Sequence, residues 1–114
     1  HQYIIQALGG RVDPIGRPLF GVQRPIYHRG IGLFERLPNP LSVGLYHALH
    51  ASEVPPSLEV VAQDQEGHCM AVCHPTYPVW GLQFHPDSIL TPNGRQLLQA
   101  WISLIASTYS RQIV

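Results

Sequence analysis

Residues 69–74 read CMAVCH and residues 79–85 read VWGLQFH. Each is a nearly continuous apolar run bounded by turn residues, the pattern of a strand buried on both faces. Such strands need other elements packed over them. The chain must therefore build a sheet covered by helices, an α/β architecture.

The remaining segments fill in that plan. HQYIIQAL (1–8) reads as the end of a helix, with Ile4, Ile5 and Leu8 at helical spacing and Gly9-Gly10 as its stop. RVDPI predicts a short strand that Pro14 confines to an edge or an end. Residues 18–28 predict an extended arm, and residues 30–40 a loop with one helical turn. SVGLYHAL (42–49) and LEVVAQD (58–64) predict strands, separated by the turn EVPPS, and DQEGH (64–68) predicts a turn around Gly67. Residues 91–107 predict a helix with Thr91 as N-cap and Pro92 in the first helical position. Leu97, Leu98, Trp101, Ile102 and Ile105 form its apolar face. The tail TYSRQIV carries no strong signal.

Composition excludes several classes of function. The chain has 114 residues, enough for one domain or part of one, with 45% hydrophobic and 12% charged residues and a formal net charge of zero. It contains no lysine, and its arginines are scattered, so it lacks the basic footprint of a nucleic-acid binder. No apolar run approaches the roughly 18 residues of a membrane-spanning helix, and no charged-then-apolar leader opens the chain. It begins with His1 rather than Met, which suggests part of a longer translation product. Cys69 and Cys73 are the only cysteines. Four apart on one strand they lie about 13 Å apart, beyond disulfide reach, so they read as reduced thiols of a cytoplasmic protein.

The segment His85-Pro86-Asp87 follows the second apolar run. In an extended chain, residues i and i+2 point to the same side, and the intervening proline favours that conformation at His85. Asp87 can then accept from one ring nitrogen of His85 and leave the other free as a base. The bland reading makes Asp87 or Ser88 the cap of the next turn and His85 a surface residue. Ser88 lacks the G-x-S-x-G elbow of a nucleophile. His47, amid apolar residues of a strand, reads as a satisfied, half-buried histidine. The other histidine and cysteine spacings match no zinc pattern, and Gly9-Gly10 and Gly30-Ile31-Gly32 lack phosphate-loop spacing.

The segment GLQFHPDSILTPNGRQLLQAW resembles the C-terminal signature of the class I, triad-type glutamine amidotransferases, in which G-[VI]-Q-F-H-P-E supplies the histidine and the acid of a Cys-His-Glu triad. VGLYHAL is similar to the family's R-Y-H-S-L segment. HQYIIQALGGRV is similar to the stretch that follows the nucleophile elbow C-x-G-H-Q. The likeness runs in order from His1 to about Leu104, and HPDSILT is nearest to the glutaminase components of anthranilate synthase and aminodeoxychorismate synthase. It implies the C-terminal portion of one flavodoxin-like domain over residues 1–114, an incomplete sheet flanked by helices. It further implies glutamine as substrate, a chorismate-using synthase as partner chain or fused domain, and no cofactor or metal. His85 takes the place of the triad histidine and Asp87 that of the acid. Gln2, Ala48 and Leu49 correspond to substrate-binding positions. The nucleophilic cysteine belongs three residues before His1, outside the chain.

Some positions depart from that pattern. Asp87 stands where the family has glutamate, Leu45 where it has arginine, and Ala48 where it has serine. FGVQR (20–24) replaces the H-G-K-T-S stretch of the two chorismate-linked components. Two readings follow: a glutaminase whose nucleophile lies upstream, and a catalytically inactive relative that keeps the fold as a binding module.

Overall fold

A computed structural model describes residues 1–77 and 79–113, with the side chains of Tyr3, Ala48 and residues 107–113 outside that description. The elements run α1 (Gln2–Ala7), β1 (Arg11–His28), a 3-10 turn (Gly32–Phe34), β2 (Leu41–Glu53), β3 (Glu59–Gln63), β4 (Cys69–Cys73), β5 (Trp80–Leu82) and α2 (Gly94–Ile113). The strands form one sheet in the order β2-β1-β3-β4-β5, with every pairing antiparallel. A sheet with helices packed on it is the α/β arrangement that the two apolar runs demand.

The first departure from expectation is β1. The short strand and the extended arm are one strand of 18 residues, carried along β2 with register shifts near Pro14–Leu19 and Phe20–Val22. Pro14, Pro18 and Pro25 do not break it, because β3 pairs only with Tyr27 and His28. Among the described residues β1 has no second strand partner over most of its length, so a missing N–H on that side costs no ladder bond. β2 is correspondingly longer than residues 42–49.

The core gathers around β4, whose residues are all buried. One cluster joins Met70, Ala71 and Cys73 to Ile26, Phe34, Val43, Leu45, Phe84 and Leu97. The other joins Cys69 and Val72 to Ile5 of α1 and Leu58. Cys69 and Cys73 are free and buried, and burial pushes the Cys69 thiol up to about 12. Asp64 organises the turn into β4, accepting from the backbone N–H groups of Glu66 and His68 at 2.9 Å.

Helix α2 differs from its sequence reading at both ends. Only part of the expected apolar face is covered: Leu97 is buried and Ala100, Trp101 and Leu104 pack against the main cluster, whereas Leu98, Ile102 and Ile105 are exposed. The helix continues through residues 108–113, which carry no strong sequence signal. It starts at Gly94, so Pro92 precedes the helix and Thr91 is not its N-cap. The Thr91 hydroxyl has a tertiary role. It donates to the His85 carbonyl at 2.7 Å and accepts from the Gly44 N–H at 2.8 Å.

That hydroxyl locks the segment after β5 onto β2. The backbone of residues 79–85 does not stay in one ladder. Gln83 N–H still donates to Met70 of β4 at 2.8 Å, but His85 N–H donates to Gly44 of β2 at 3.1 Å. The chain thus changes partner strand just before His85, and for this reason β5 is shorter than the apolar run. A Cβ at Gly44 would lie 2.9 Å from Ser88 Oγ and 3.0 Å from Leu90 Cβ, so glycine permits this close crossing.

Two measurements test this core. Thr91→Val keeps the shape of a buried side chain but leaves the Gly44 N–H without its partner and the His85 carbonyl with the Ser88 N–H at 3.2 Å alone, which costs about 1–3 kcal/mol. A urea midpoint lowered accordingly, and restored in Thr91→Ser, is the expected result. The Cys69 thiol, neutral far above pH 8, should resist iodoacetamide in the folded chain at that pH and react once urea unfolds it, as followed by mass spectrometry.

Candidate active site

Three segments converge beside this crossing: the start of α1, the middle of β2 and the residues that follow β5. Between them lies an open groove of about 510 Å³ lined by His1, Gln2, Tyr46, His47, Leu49, Leu82, Gln83 and His85. Gln2, Leu49 and His85, expected at a site from sequence, are therefore brought together although they lie far apart in the chain. Ala48 lies within β2, but its side chain is outside the described ones.

Gln2 holds α1 to β2. Its side-chain amide donates to the Leu49 carbonyl at 3.2 Å and lies 3.5 Å from the Gln83 amide oxygen. The Leu49 carbonyl also faces His47 Nδ1 at 2.8 Å. A carbonyl only accepts, so Nδ1 carries the proton. Nε2 of His47 is then a lone-pair acceptor, buried and without a hydrogen-bond partner among the described residues. His47 is thus more buried and less satisfied than its sequence setting suggests. Burial lowers its pKa, against the smaller opposing effect of the Leu49 carbonyl, which keeps the ring neutral near pH 7.

β5 and the start of α1 approach closely. A Cβ at Gly81 would meet His1 Cα at 3.0 Å, so the glycine of GLQFHP sets how near α1 comes to the strand. The His1 ring sits in this contact with both nitrogens buried and without hydrogen-bond partners among the described residues.

His85 stands at the groove's edge with its side chain about half exposed. Its backbone is fixed by Gly44 and Thr91, as described above. Nδ1 lies 3.8 Å from Asp87 Oδ1, and the Asp87 side chain is 82% exposed. The extended segment expected over His85-Pro86-Asp87 is instead a tight turn, closed by Ser88 N–H donating to the His85 carbonyl at 3.2 Å, and it is the turn that brings the two groups near each other. At 3.8 Å they are near neighbours but do not make the hydrogen bond expected from sequence. Asp87 does not line the groove. Ser88 acts as a local cap instead: its hydroxyl accepts from Leu90 N–H at 3.1 Å.

Sequence reasoning missed Tyr46, Gln83 and His1 as groove residues. Gln83 was within reach of the pattern, since it is two residues before His85 in an extended segment. Tyr46 and His1 carried no such signal, because their placement depends on how β2 and α1 pack against β5. A second recess of about 520 Å³ also includes His47, with His50, Asp64 and His68 in its wall. His68 Nδ1 contacts Asp64 Oδ2 at 2.9 Å. Among the described residues, no group of three or more His, Cys, Asp or Glu side chains is arranged to hold a metal ion. Nor is any helix among them long and apolar enough to cross a membrane.

Comparison with known proteins bears on the family and the fold. The family model described as "Glutamine amidotransferase class-I" matches residues 1–104. An aminodeoxychorismate synthase of Streptomyces griseus is 47% identical over 98 residues, which make up 86% of this chain and 14% of that protein. Anthranilate synthase component 2 of Methanothermobacter thermautotrophicus is 41% identical over 106 residues, 91% of this chain and 54% of the relative. Aminodeoxychorismate/anthranilate synthase component 2 of Bacillus subtilis is 38% identical across 100% of this chain and 58% of its own length. This chain thus spans little more than half of either component 2 relative. A solved structure from Thermoplasma acidophilum, described as that of a GMP synthase subunit, superposes with a TM-score of 0.92 at 24% identity, over 99% of this chain and 57% of that one. It establishes the likeness of fold. With a family model matched over nearly its whole length and a groove that unites the segments the resemblance singles out, the chain belongs to the class-I glutamine amidotransferases.

Proposed function

We propose that residues 1–114 form the histidine-bearing part of a glutaminase component that releases ammonia from glutamine for a chorismate-using synthase, anthranilate or aminodeoxychorismate synthase. One observation carries the reading: Gln2, Leu49 and His85, distant in sequence, line a single groove. The names of the relatives favour the two synthases, and the fused relatives, such as "Bifunctional protein TrpGD" of Thermotoga maritima, fit a partner that is either a separate chain or a linked domain. As a supplier of ammonia to a biosynthetic enzyme, the protein works in the cytoplasm.

In this reading a cysteine thiolate, carried just before His1, attacks the side-chain amide carbon of glutamine. A C–S bond forms, the C–N bond breaks, and His85 gives the departing nitrogen its proton. Water then attacks the thioester, His85 takes up its proton, and glutamate and the thiolate are released. Asp87 supplies the negative charge that stabilises the protonated His85. Gln2, Ala48 and Leu49 hold the glutamine, the last two through their backbone. No redox or phosphate cofactor enters this half of the reaction.

A second reading, an inactive relative that binds without turnover, is favoured by one observation. The His85–Asp87 contact is 3.8 Å long and exposed. Aspartate reaches about 1.3–1.5 Å less far than glutamate, and misplacement by about 1 Å can cost about a hundredfold in rate.

Glutamate release separates the two. In the longest natural chain that carries these residues, His85→Ala should lower kcat/KM for glutamine hydrolysis by about 10²–10⁴-fold. Asp87→Glu should raise kcat. Residues 1–114 alone should release no ammonia. A natural chain that binds glutamine in calorimetry but never turns it over would establish the second reading.

A further inference from the structure

The weak Asp87 contact leaves open what holds the His85 ring. Its backbone is pinned at both ends, by the Gly44 carbonyl at 3.1 Å and the Thr91 hydroxyl at 2.7 Å. The imidazole itself makes no hydrogen bond among the described residues. Its described contacts are Asp87 at 3.8 Å and the ring of Tyr46, whose centroid lies 5.1 Å away at an interplanar angle of 85°. That is the edge-to-face packing that aromatic quadrupoles favour.

Tyr46 is itself restrained. Its hydroxyl lies 3.0 Å from Ser88 Oγ, in the turn that carries His85. Ser88 Oγ accepts from the Leu90 N–H, so its own hydrogen remains available for the tyrosine. At the other end of the ring's surroundings, a Cβ at Gly21 would come within 3.4 Å of Tyr46 Cε1, so β1 passes directly beside the ring. Tyr46 is thus bound to β2 through its backbone, to the His85 turn through its hydroxyl, and to the imidazole through its ring.

We propose that Tyr46 is a positioning residue for His85: the ring fixes the imidazole's rotamer at the groove, and the Tyr46–Ser88 hydrogen bond fixes the ring. This inference rests on the reading of His85 as the proton-transfer residue. Tyr46 touches no reacting atom in this scheme. It restricts the histidine in place of the hydrogen bond that Asp87 does not make. A shorter acid and an aromatic restraint then act together, one supplying charge and the other direction.

The test uses the longest natural chain that carries these residues, with Tyr46→Leu, Tyr46→Phe and Ser88→Ala variants. Two quantities are read: the three-bond Hα–Hβ couplings of His85 by NMR, and kcat and KM for glutamine hydrolysis. The wild type should show couplings of a single His85 rotamer. Tyr46→Leu should average them and lower kcat about ten- to a hundredfold, the scale set by misorientation, with KM within about twofold. Tyr46→Phe, which keeps the ring, should recover most of kcat, and Ser88→Ala should resemble it. A folded Tyr46→Leu protein with one His85 rotamer and wild-type kcat would overturn the proposal. Tyr46→Met replaces the leucine variant if that does not fold, with the same two outcomes. A wild-type protein without glutaminase activity would instead overturn the reading of the site, and the couplings alone would then decide the positioning.

Discussion

The Thr91 hydroxyl joins two pieces of chain that the sheet alone does not join. By donating to the His85 carbonyl and accepting from the Gly44 N–H, it closes a crossing between β2 and the residues after β5. Everything at the groove depends on that crossing. It ends β5 early, turns His85 away from the β4 ladder, and brings Ser88 under Tyr46. Thr91 is buried, and its bond to the Gly44 N–H is buried with it, so that donor has no water to take the hydroxyl's place. A buried hydrogen bond in such a place matters less for its own modest gain than for the cost of leaving the Gly44 N–H unpaired.

The groove's two walls are held by different means. On the α1 side, polar groups converge on one acceptor: the Leu49 carbonyl takes both Gln2 and His47. On the β5 side, steric allowance decides, since Gly81 and Gly44 leave room for His1 and for Ser88 where any side chain would push the segments apart. His85 lies where the two walls meet. Its weak pairing with Asp87 follows from the exposure of that carboxylate: in water, an aspartate gains little by reaching for a partner. The Tyr46 ring packs edge-to-face on the imidazole, a contact that needs no charge on either group.

Much of the fold was legible. The burial of β4, the Gly9-Gly10 stop, the helical turn near residues 32–34 and the turn at Asp64–His68 all follow from local composition and periodicity. The unbroken β1 was not legible, because three prolines argue against a strand unless one edge is free, and that freedom depends on where β3 pairs. The helix face was only half right. Leu98, Ile102 and Ile105 carry the same periodicity as the buried stripe, and periodicity does not reveal how wide a surface the rest of the described chain covers.

The candidate site divides in the same way. The residue types at 85 and 87, their spacing across a proline, and the likeness of GLQFHPDS to a known signature are properties of the sequence alone, and they sufficed to name the family. Sequence expected an extended segment to set His85 and Asp87 on one side of the chain, whereas the backbone there is a turn closed by Ser88 N–H on the His85 carbonyl. The distance between them, the company of Tyr46, and the meeting of Gln2 with Leu49 were decided only by tertiary structure. The Tyr46–Ser88 and Gln2–Leu49 hydrogen bonds join residues more than forty positions apart, and no local rule fixes how such segments are set against one another. The sequence determined which groups the protein has for its chemistry. Packing of β2 against the turn after β5 decided which of them stand close enough to act.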